Sequence, residues 1–455
     1  MTDTQRPRIV ILGAGFAGIH AARELTRLLP KDEDGDITLV NQNNYLLFTP
    51  MLTEVVGGQV ETGHIISAAR RLSPRVTFAQ GRVDGIDVDN KRVTITLGQD
   101  EDGIPTAQRT LDADHLVIAL GSVTSFHGIP GTQEHSLTIK SVGDAAAIRN
   151  RALELLERAD DEGDPARRRD LLTIVVGGGG YSGVETMAAL NDLVRDAAKR
   201  HYPQIAANDI RTVLVQPGAR LLPEISAGLA SYTHKKLQER GVEVILDTKI
   251  TGAGPDWVEL EDKNGQKKLI TTHLLVWAAG VTPSPVIKKL DVKRGHHHGI
   301  VVDTSLAVPG HPGVWALGDC AEIPKPNGKA SYAPTAQNAT REGTQVARNI
   351  VATLRGQQPQ PFVYTPIGSL AIIGKRTGAA EVYGRHFSGI LAWAMWRAIY
   401  LAKTPLLGKR VRVGLDWTLD ALFGTEIVEL PVARSRTVGD DTQHGGRGSG
   451  VGGRE

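Results

Sequence analysis

Short apolar runs alternate with segments of helical hydrophobic spacing along most of the chain, and this pattern predicts repeated strand–helix–strand units. The apolar run Arg8–Leu12 is followed by a glycine-rich turn and then by helical spacing over residues 19–29. The same order returns with an apolar run at 172–176 and helical spacing over 184–198. We therefore predict two similar βαβ units.

Each predicted βαβ unit is followed by a similar series of strands. Alternating apolar and polar residues predict one antiparallel ribbon at 76–97 and another at 242–260. A short buried strand follows each ribbon and stops at a glycine, at Gly121 in the first half and at Gly280 in the second. The stretch 42–65 is predicted to be irregular. The repeated order is typical of a duplicated dinucleotide-binding domain.

The turn after the first strand of each unit has the glycine spacing of a nucleotide-binding loop. The first glycine allows the tight turn, the second lets the backbone approach a pyrophosphate, and the third lets the helix pack against its strand. The helix N-terminus then offers free N–H groups to the phosphates. A glycine-rich turn without a ligand is the alternative, but two such turns in the same context favour binding. The glycines are Gly13, Gly15 and Gly18 in the first turn and Gly178, Gly180 and Gly183 in the second.

The composition of the chain argues against several classes of function. The 52 basic and 50 acidic residues leave a net charge of +2, which gives no general attraction to nucleic acid. Cys320 is the single cysteine, so disulfide bonds, dithiol redox pairs and cysteine-rich metal sites are excluded. The consecutive histidines at 296–298 would point in alternating directions in an extended loop, and we expect no metal there. Because the N-terminus is polar and no run reaches the roughly 20 apolar residues of a spanning helix, we expect the chain to stay on the cytoplasmic side.

A third candidate contact is Gly318-Asp319, which follows a buried strand near residues 313–317. A carboxylate at a strand end can accept hydrogen bonds from the ribityl hydroxyls of a flavin, and the N-terminus of a following helix would face the pyrophosphate or a flavin carbonyl. Gly-Asp is also a common turn. Its position after the second nucleotide-binding unit favours the flavin contact.

Several further motifs occur in a characteristic order: NYLLFTP at 44–50, ALGS at 119–122, GIPG at 128–131, GVE at 183–185, LGDC at 317–320 and PTAQNATRE at 334–342. In these motifs the chain resembles the two-dinucleotide-binding-domain flavoproteins and, among them, the type II NADH:quinone oxidoreductases. The likeness runs from about residue 8 to about residue 430.

The resemblance implies an α/β fold with two Rossmann-like dinucleotide-binding domains and a C-terminal amphipathic helical membrane-association segment. FAD would bind a discontinuous domain of residues 1–140 and 295–385, and NADH, with NADPH as an alternative, would bind residues 141–294. The C-terminal helices would lie within 386–432, and the tail at 433–455 is expected to be disordered. The cofactor-binding residues would also include Thr49, Gly121, Gly280, Gly318, Asp319 and Ala336.

By the same resemblance, a hydride passes from the nicotinamide to the flavin, and two electrons then pass to a quinone, either menaquinone or ubiquinone. Gln337 would lie beside the flavin, within a segment similar to the family's quinone-site signature AQxAxQE. The chain departs from this signature at Arg341, where the family usually carries Gln, although Arg can also donate to a quinone carbonyl. Glu185 would lie near both rings, where it would either deliver a proton or orient the nicotinamide.

Two residues depart from the dinucleotide-binding fingerprint. An acidic residue usually ends the second strand and binds the adenosine ribose, but this chain has Asn41 in the first unit and Gln216 in the second. Asn41 can still form a hydrogen bond with the ribose of FAD. Gln216 removes the carboxylate that would repel the 2′-phosphate of NADPH, and Arg220 lies four residues further on. We therefore expect NADPH to compete with NADH better than in relatives that carry the acid.

The C-terminal region has the character of a membrane-surface segment. Residues 385–412 contain six Lys or Arg and no Asp or Glu, and 389–402 is apolar apart from Arg397. A second segment, 411–423, has apolar residues at helical spacing. Short apolar helices with aromatic residues and flanking cations lie in the headgroup plane. We expect peripheral attachment to the cytoplasmic face of the cell membrane; packing on the protein's own core or a dimer contact is the alternative.

Three functions stay open. The first is a peripheral membrane NAD(P)H:quinone oxidoreductase, which the resemblance suggests is a homodimer. The second is a soluble reductase of a small redox protein, against which the aromatic, basic C-terminal segment argues. The third is a nicotinamide-sensing flavoprotein with negligible turnover.

Overall fold

The computed structural model describes residues 6–29, 36–99, 105–326, 328 and 330–429, and the predicted tail at 433–455 lies outside them. The α-helices are α1 (Phe16–Leu28), α2 (Leu52–Val56), α3 (Ala69–Leu72), α4 (Thr132–His135), α5 (Val142–Asp160), α6 (Pro165–Leu171), α7 (Tyr181–His201), α8 (Ala227–Glu239), α9 (Ala336–Leu354), α10 (Gly389–Lys403) and α11 (Leu407–Phe423). Short 3-10 helices lie at Thr49–Met51, Thr62–His64, Pro285–Lys289 and Gly318–Cys320.

The strands are β1 (Arg8–Leu12), β2 (Asp36–Asn41), β3 (Tyr45–Leu47), β4 (Ile66–Ala68), β5 (Thr77–Gln80), β6 (Arg82–Asp87), β7 (Arg92–Gln99), β8 (Pro105–Asp112), β9 (His115–Ile118), β10 (Ser122–Thr124), β11 (Leu137–Thr138), β12 (Thr173–Gly177), β13 (Arg211–Val215), β14 (Val242–Ile245), β15 (Thr248–Ala253), β16 (Trp257–Asp262), β17 (Lys267–Thr271), β18 (Leu274–Trp277), β19 (Val281–Pro283), β20 (Ile300–Val301), β21 (Val314–Ala316), β22 (Ala321–Glu322), β23 (Gly368–Ile372), β24 (Gly378–Val382) and β25 (Arg385–Ser388).

The first parallel sheet has β1 at its centre, in the strand order β21-β9-β1-β2-β5. Ile9, Ile11 and Leu12 of β1 are fully buried, as expected for a strand inside a parallel sheet. β21 enters this sheet from far along the chain, and its Ala316 pairs with Ile118 of β9. The carboxyl ends of β1, β2, β9 and β21 therefore meet at one edge of the sheet.

A second parallel sheet repeats this plan in the order β11-β18-β12-β13-β14. Gly177 at the end of β12 pairs with Val215 of β13 and with Trp277 of β18, so three carboxyl ends again lie together. Each parallel sheet is accompanied by a three-stranded antiparallel sheet, β6-β7-β8 in the first half and β15-β16-β17 in the second. The predicted α/β fold with two similar dinucleotide-binding units is confirmed.

The predicted ribbons are wrong at both of their ends. The start of each is an edge strand of a parallel sheet, β5 in the first half and β14 in the second. A third antiparallel strand, β8 or β17, completes each ribbon beyond the predicted end. Four of the five residues of β17 are exposed. The strand therefore lacks the alternation of apolar and polar residues from which a strand is predicted.

Two local predictions are also wrong. The stretch 42–65 is not irregular throughout, because it contains β3 and the fully buried helix α2. Five residues are too few to display a helical period. Asp319 is followed by β22 rather than by a long helix, and the next helix begins at Ala336. Prolines at 324, 326 and 334 occupy the interval, where their missing N–H groups and fixed φ oppose helix formation.

The two halves are joined by connections that pair with each other. β10 and β19 are antiparallel, with Ser122 opposite Pro283. The pairing is extended at both ends, because the N–H of Ser125 donates to the carbonyl of Gly280 at 3.1 Å and the N–H of Ser284 donates to that of Gly121 at 3.2 Å. The two predicted glycine stops therefore lie where the first and second nucleotide-binding units meet.

The C-terminal helices pack on the rest of the protein through one face. Trp396 of α10 and Trp417 of α11 are only 1% and 7% exposed. The guanidinium of Arg397 lies 4.3 Å from the ring centre of Trp393, 4.6 Å from that of Trp417 and 3.7 Å from the carboxylate of Glu54. Trp417 Nε1 also donates to Glu54 Oε2 at 2.8 Å. The cation that sequence analysis noted in 389–402 is thus an internal residue that fastens both helices to α2.

The opposite face of α11 is exposed. Its apolar residues recur at helical spacing and are each more than half exposed: Leu407, Val411, Leu415, Leu419 and Leu422. Ile390 and Leu391 at the start of α10 are exposed as well. Across the described ranges, no helix combines the length and the apolar character needed to cross a bilayer.

Candidate active site

The two glycine-rich loops have the same geometry. The first glycine of each has a positive φ, +104° at Gly13 and +110° at Gly178, which side-chain-bearing residues rarely adopt. A Cβ on the third glycine of either loop would lie 1.8 Å from the carbonyl oxygen of the first. A Cβ on the second glycine of either loop would meet no atom within 4 Å. Each loop thus packs tightly on its own sheet and keeps an open space beside its middle glycine.

Free backbone amides face that open space. α1 begins after Gly15 and α7 begins after Gly180, and within the described residues no side chain caps either helix. Uncapped N–H groups and the positive end of the helix dipole attract phosphate. The residues present therefore fit the pyrophosphate of a dinucleotide at each loop.

Asn41 and Gln216 hold the two loops in the same way. Asn41 Oδ1 accepts the N–H of Ala14 at 3.0 Å, and Gln216 Oε1 accepts the N–H of Gly179 at 2.8 Å. Ala14 and Gly179 occupy the same position, between the first and second glycines. Each amide oxygen thus makes the contact with the loop, and neither residue contributes a charge. Arg220 is exposed and donates to the carbonyl of Pro223.

Asp319 lies at the carboxyl edge of the first sheet within a chain of polar contacts. Ser122 Oγ donates to Asp319 Oδ2 at 2.7 Å, and Lys140 Nζ donates to Ser122 Oγ at 3.0 Å. Burial lowers the pKa of Lys140. On the other side, the N–H of Gly318 donates to Glu342 Oε2 at 2.8 Å, and burial raises the pKa of Glu342 to about 7. Lys140 was missed by sequence analysis, and Glu342 was noted only as the end of a motif.

The first turns of α9 lie beside Gly318. Thr335 Oγ1 caps the helix by accepting the N–H of Asn338 at 3.2 Å, so Ala336 is its first residue. Gln337 is half-buried, whereas Arg341 is exposed and its guanidinium lies 5.3 Å from the ring centre of Tyr364. Gln337 and Arg341 are four positions apart and therefore share one side of α9, whereas Glu342 is the residue of this helix that bonds to Gly318.

Glu185 lies beyond the first turn of α7, because the helix begins at Tyr181. The helical spacing over 184–198 would put Glu185 on the first turn, where the helix dipole favours a negative charge, but the helix begins three residues earlier. Burial instead raises the pKa of Glu185 to about 8, although it accepts the N–H of Ile372 at 3.0 Å. The nearby carboxyl of Glu54 raises this pKa further, and a hydrogen bond with Trp396 lowers it. At neutral pH the Glu185 side chain therefore holds a proton.

A row of aromatic rings, missed by sequence analysis, connects Glu185 with the first glycine loop. The ring of Phe16 lies 5.8 Å from Phe48, and Phe48 lies 6.1 Å from Tyr400, both pairs edge to face. Tyr400 packs on Trp396 at 4.5 Å. Thr49 directly follows Phe48 and so lies near the first loop. In the sequence, Phe16 lies inside the glycine loop, Phe48 inside the NYLLFTP motif, and Trp396 and Tyr400 among the aromatic residues of the segment 389–402.

Cys320, which directly follows Asp319, and the histidines at 296–298 were also singled out in the sequence. Cys320 is fully buried, and burial raises its pKa to about 12, so its thiol is not a nucleophile. The histidines at 296–298 form a turn beside β22, where the N–H of His297 donates to Glu322 Oε1 at 2.6 Å.

Comparison with known proteins agrees with this geometry. The family model for pyridine nucleotide-disulphide oxidoreductases matches residues 7–343, and the model for the NDH2 C-terminal domain matches residues 367–426. The type II NADH:quinone oxidoreductase Ndh of Mycobacterium tuberculosis is 30% identical over 92% of this chain and 89% of its own length. The external alternative NADH-ubiquinone oxidoreductase of Yarrowia lipolytica is 28% identical over 93% of this chain and 81% of its own.

A solved structure has the same fold. NDH2 of Plasmodium falciparum in complex with NADH superposes with a TM-score of 0.85 at 20% identity, covering 93% of this chain and 100% of that one. Family models together match most of the sequence, and a relative at 30% identity is covered almost end to end. The chain therefore belongs to the pyridine nucleotide-disulphide oxidoreductases and, within them, to the type II NADH:quinone oxidoreductases.

Proposed function

We propose that this protein oxidises NADH and reduces a membrane quinone through FAD, without pumping protons. The observation that carries the proposal is a pair of nucleotide cradles of the same geometry, with a protonated carboxyl group, Glu185, on the helix of the second. Glu185 stands on the helix of the second cradle and lies close to Tyr400, which the aromatic row connects to Phe16 of the first cradle. FAD, when bound, accepts a hydride from the nicotinamide and passes two electrons onward.

Each group of residues has a distinct task in this proposal. The first glycine loop, Asn41 and the Asp319 corner hold FAD, while the second loop and Gln216 hold the nicotinamide dinucleotide. Gly121 and Gly280 begin the paired connections that fix the distance between the two cradles. The protonated Glu185 supplies a proton to the quinone as it accepts electrons. Gln337, at the start of α9, offers an amide to a quinone carbonyl.

Arg341 has a different role in the proposal. Its exposed guanidinium stacks on Tyr364. It also lies near Lys403 at the end of α10, whose pKa is lowered by burial and then by the charge of Arg341. We place it at the entrance of the quinone site, on the side of the C-terminal helices, rather than against the flavin. There it would donate to a quinone carbonyl only during entry.

The exposed face of α11 is the proposed contact with the membrane, on its cytoplasmic side. Its apolar stripe is flanked by Lys409 and Arg412, and Lys409 lies near both Arg412 and Arg71 of α3. Apolar residues beside cations suit the interface of an anionic bilayer. The same exposed face makes a soluble reductase the less favoured function. A homodimer is the assembly that we propose from the family, and light scattering of the detergent-solubilised protein tests it.

A comparison of electron acceptors tests the proposal. Purified protein would be mixed with NADH and, in separate assays, with a menaquinone analogue, a ubiquinone analogue and a small redox protein such as ferredoxin. We expect a yellow, FAD-containing protein that oxidises NADH rapidly with at least one quinone. Rapid turnover with the redox protein alone would favour the soluble reductase, and negligible turnover with every acceptor would favour the nicotinamide sensor.

A further inference from the structure

One face of α7 carries a line of acidic residues that leads away from the active site. Glu185, Asp192 and Asp196 are separated by seven and four positions, so they lie along one side of the helix. The turn between β23 and β24 covers this side, together with the segment that follows α11. Among the residues that the structure describes, neither nucleotide-binding loop lines this side.

Two small cavities lie end to end along this face. The inner cavity has a volume of about 20 Å³, and its lining includes Glu54, Glu185 and Asp192. The outer cavity has a volume of about 10 Å³, and its lining includes Asp196. The two cavities have Leu193, Lys375 and Thr425 in common. Since a water molecule needs about 10–15 Å³ of such space, each cavity has room for about one water molecule.

Lys375 joins the two cavities. Its backbone N–H donates to Asp192 Oδ2 at 2.7 Å, and its Nζ donates to Asp196 Oδ2 at 2.7 Å. The side chains of Lys375 and Asp196 are 33% and 42% exposed, whereas that of Asp192 is 12% exposed. The outer end of the line is therefore in contact with solvent, and the inner end reaches Glu185.

The proposed reaction needs such a connection. NADH gives up a hydride, which carries two electrons and one proton, whereas a quinone takes up two electrons and two protons to become a quinol. One proton per turnover must therefore come from water. We propose that this proton enters at Asp196 and Lys375, passes through water in the two cavities along Asp192, and reaches Glu185. This inference rests on the proposed function.

The charged groups around this route come from several elements. α2 contributes Glu54, α10 contributes Arg397 beside it, and Arg240 forms an ion pair with Asp192. Tyr181 and Tyr400 face Glu185, and burial raises the pKa of both hydroxyls. The outer cavity is also lined by two basic residues of α7, Arg200 and His201. Burial likewise raises the pKa of Asp192 and Glu54, so the inner carboxyl groups hold protons more readily than exposed ones do.

The sharpest test fills the inner cavity without changing a titratable group. Ala189 lies one turn beyond Glu185 and lines this cavity. The variant Ala189→Val adds two methyl groups toward the space of the inner cavity, whereas Ala189→Ser is a smaller, polar control. Each holoenzyme would be assayed with a menaquinone analogue and with ferricyanide, which accepts electrons without protons. Lys375→Met and its conservative control Lys375→Arg test the outer end in the same way.

We expect Ala189→Val and Lys375→Met to lower kcat with the quinone by about tenfold or more, to increase its solvent deuterium isotope effect, and to leave kcat with ferricyanide near that of the wild type. The controls Ala189→Ser and Lys375→Arg should keep the wild-type kcat with the quinone. An unchanged quinone rate and isotope effect in both variants would overturn the route. Equal losses with both acceptors would overturn it too, because they indicate a general structural defect. If the wild type itself reduces ferricyanide but no quinone, the proposed function fails instead.

Discussion

Asn41 and Gln216 keep the hydrogen bond to the glycine loop and remove only the charge of the usual acid. Each amide oxygen accepts the N–H at the same loop position, at 3.0 Å and 2.8 Å. A carboxylate oxygen at either site could accept the same bond. The choice of amide over acid therefore alters the electrostatics around the adenosine ribose with little effect on the loop.

Because an amide and a carboxylate can make the same bond to the loop and differ in charge, residue 216 is predicted to affect the choice of coenzyme. The wild type should use NADPH with a kcat/KM within about a thousandfold of that for NADH. Gln216→Glu should lower kcat/KM for NADPH by about tenfold or more through charge repulsion of the 2′-phosphate, with little change for NADH. Asn41→Asp, the same kind of change at the other loop, is the matched control. If the ratio of kcat/KM for NADPH to that for NADH were the same in Gln216→Glu as in the wild type, residue 216 would not discriminate between the two coenzymes.

The raised pKa of Glu185 predicts how the rate of quinone reduction depends on pH. Because burial raises its pKa to about 8, the side chain is protonated at neutral pH and loses its proton as the pH rises through that value. The kcat for quinone reduction should therefore fall above about pH 8. Glu185→Gln should lower kcat by about 10²-fold and abolish this basic limb, while NADH still reduces the flavin in a single turnover. Retention of the basic limb by the variant would assign the titration to another group.

At the scale of elements, the two glycine loops are built alike and should differ only in their ligands. Gly15 and Gly180 have extended backbones, and a Cβ at either meets no neighbour. A valine should therefore fold normally and block only the approach of a pyrophosphate. We expect Gly15→Val to lose FAD, and Gly180→Val to keep FAD but raise KM for NADH by about tenfold or more.

Absorbance of the bound flavin and steady-state kinetics check this prediction. The control is Gly228→Val, a glycine of α8 with open space around it. Loss of FAD from Gly180→Val, with FAD retained by Gly15→Val, would reverse the assignment of the two loops.

The glycine loops could be predicted from sequence because their requirements are local. A positive φ, a close helix and an open cradle are properties of a few adjacent residues, and each strand and helix beside them has its own period. The environment of Glu185 could not be predicted in this way. Its hydrogen bond comes from Ile372, 187 positions away along the chain. The ion pair of Arg397 with Glu54 likewise joins two helices that are far apart in the sequence, so no local sequence pattern predicts it.

At the scale of the whole molecule, the C-terminal helices have one buried face and one exposed face. Trp396, Trp417 and Arg397 fasten them to the core, whereas the leucine stripe of α11 faces outward. Deletion of everything from residue 385 would therefore expose the core as well as remove the stripe. Substitutions on the outer face alone give a cleaner test of membrane binding.

We expect Leu415→Ser combined with Leu419→Ser to weaken binding to anionic liposomes by about tenfold or more, because two leucines leave the interface. Co-sedimentation measures the binding. Thr418→Ser, on the same helix and also exposed, is the control. NADH oxidation with ferricyanide should be unaffected. Liposome binding equal to that of the wild type would indicate that this face is covered by something other than a membrane.

The proposed function requires a two-step transfer through one flavin, and an anaerobic double-mixing stopped-flow measurement tests this transfer most directly. One equivalent of NADH is mixed with the protein, and a menaquinone analogue is added once the absorbance of the oxidised flavin has disappeared. We predict that the quinone restores this absorbance at a rate at least equal to the steady-state turnover. A protein without flavin absorbance, or a reduced flavin that quinone leaves unoxidised, would contradict the account.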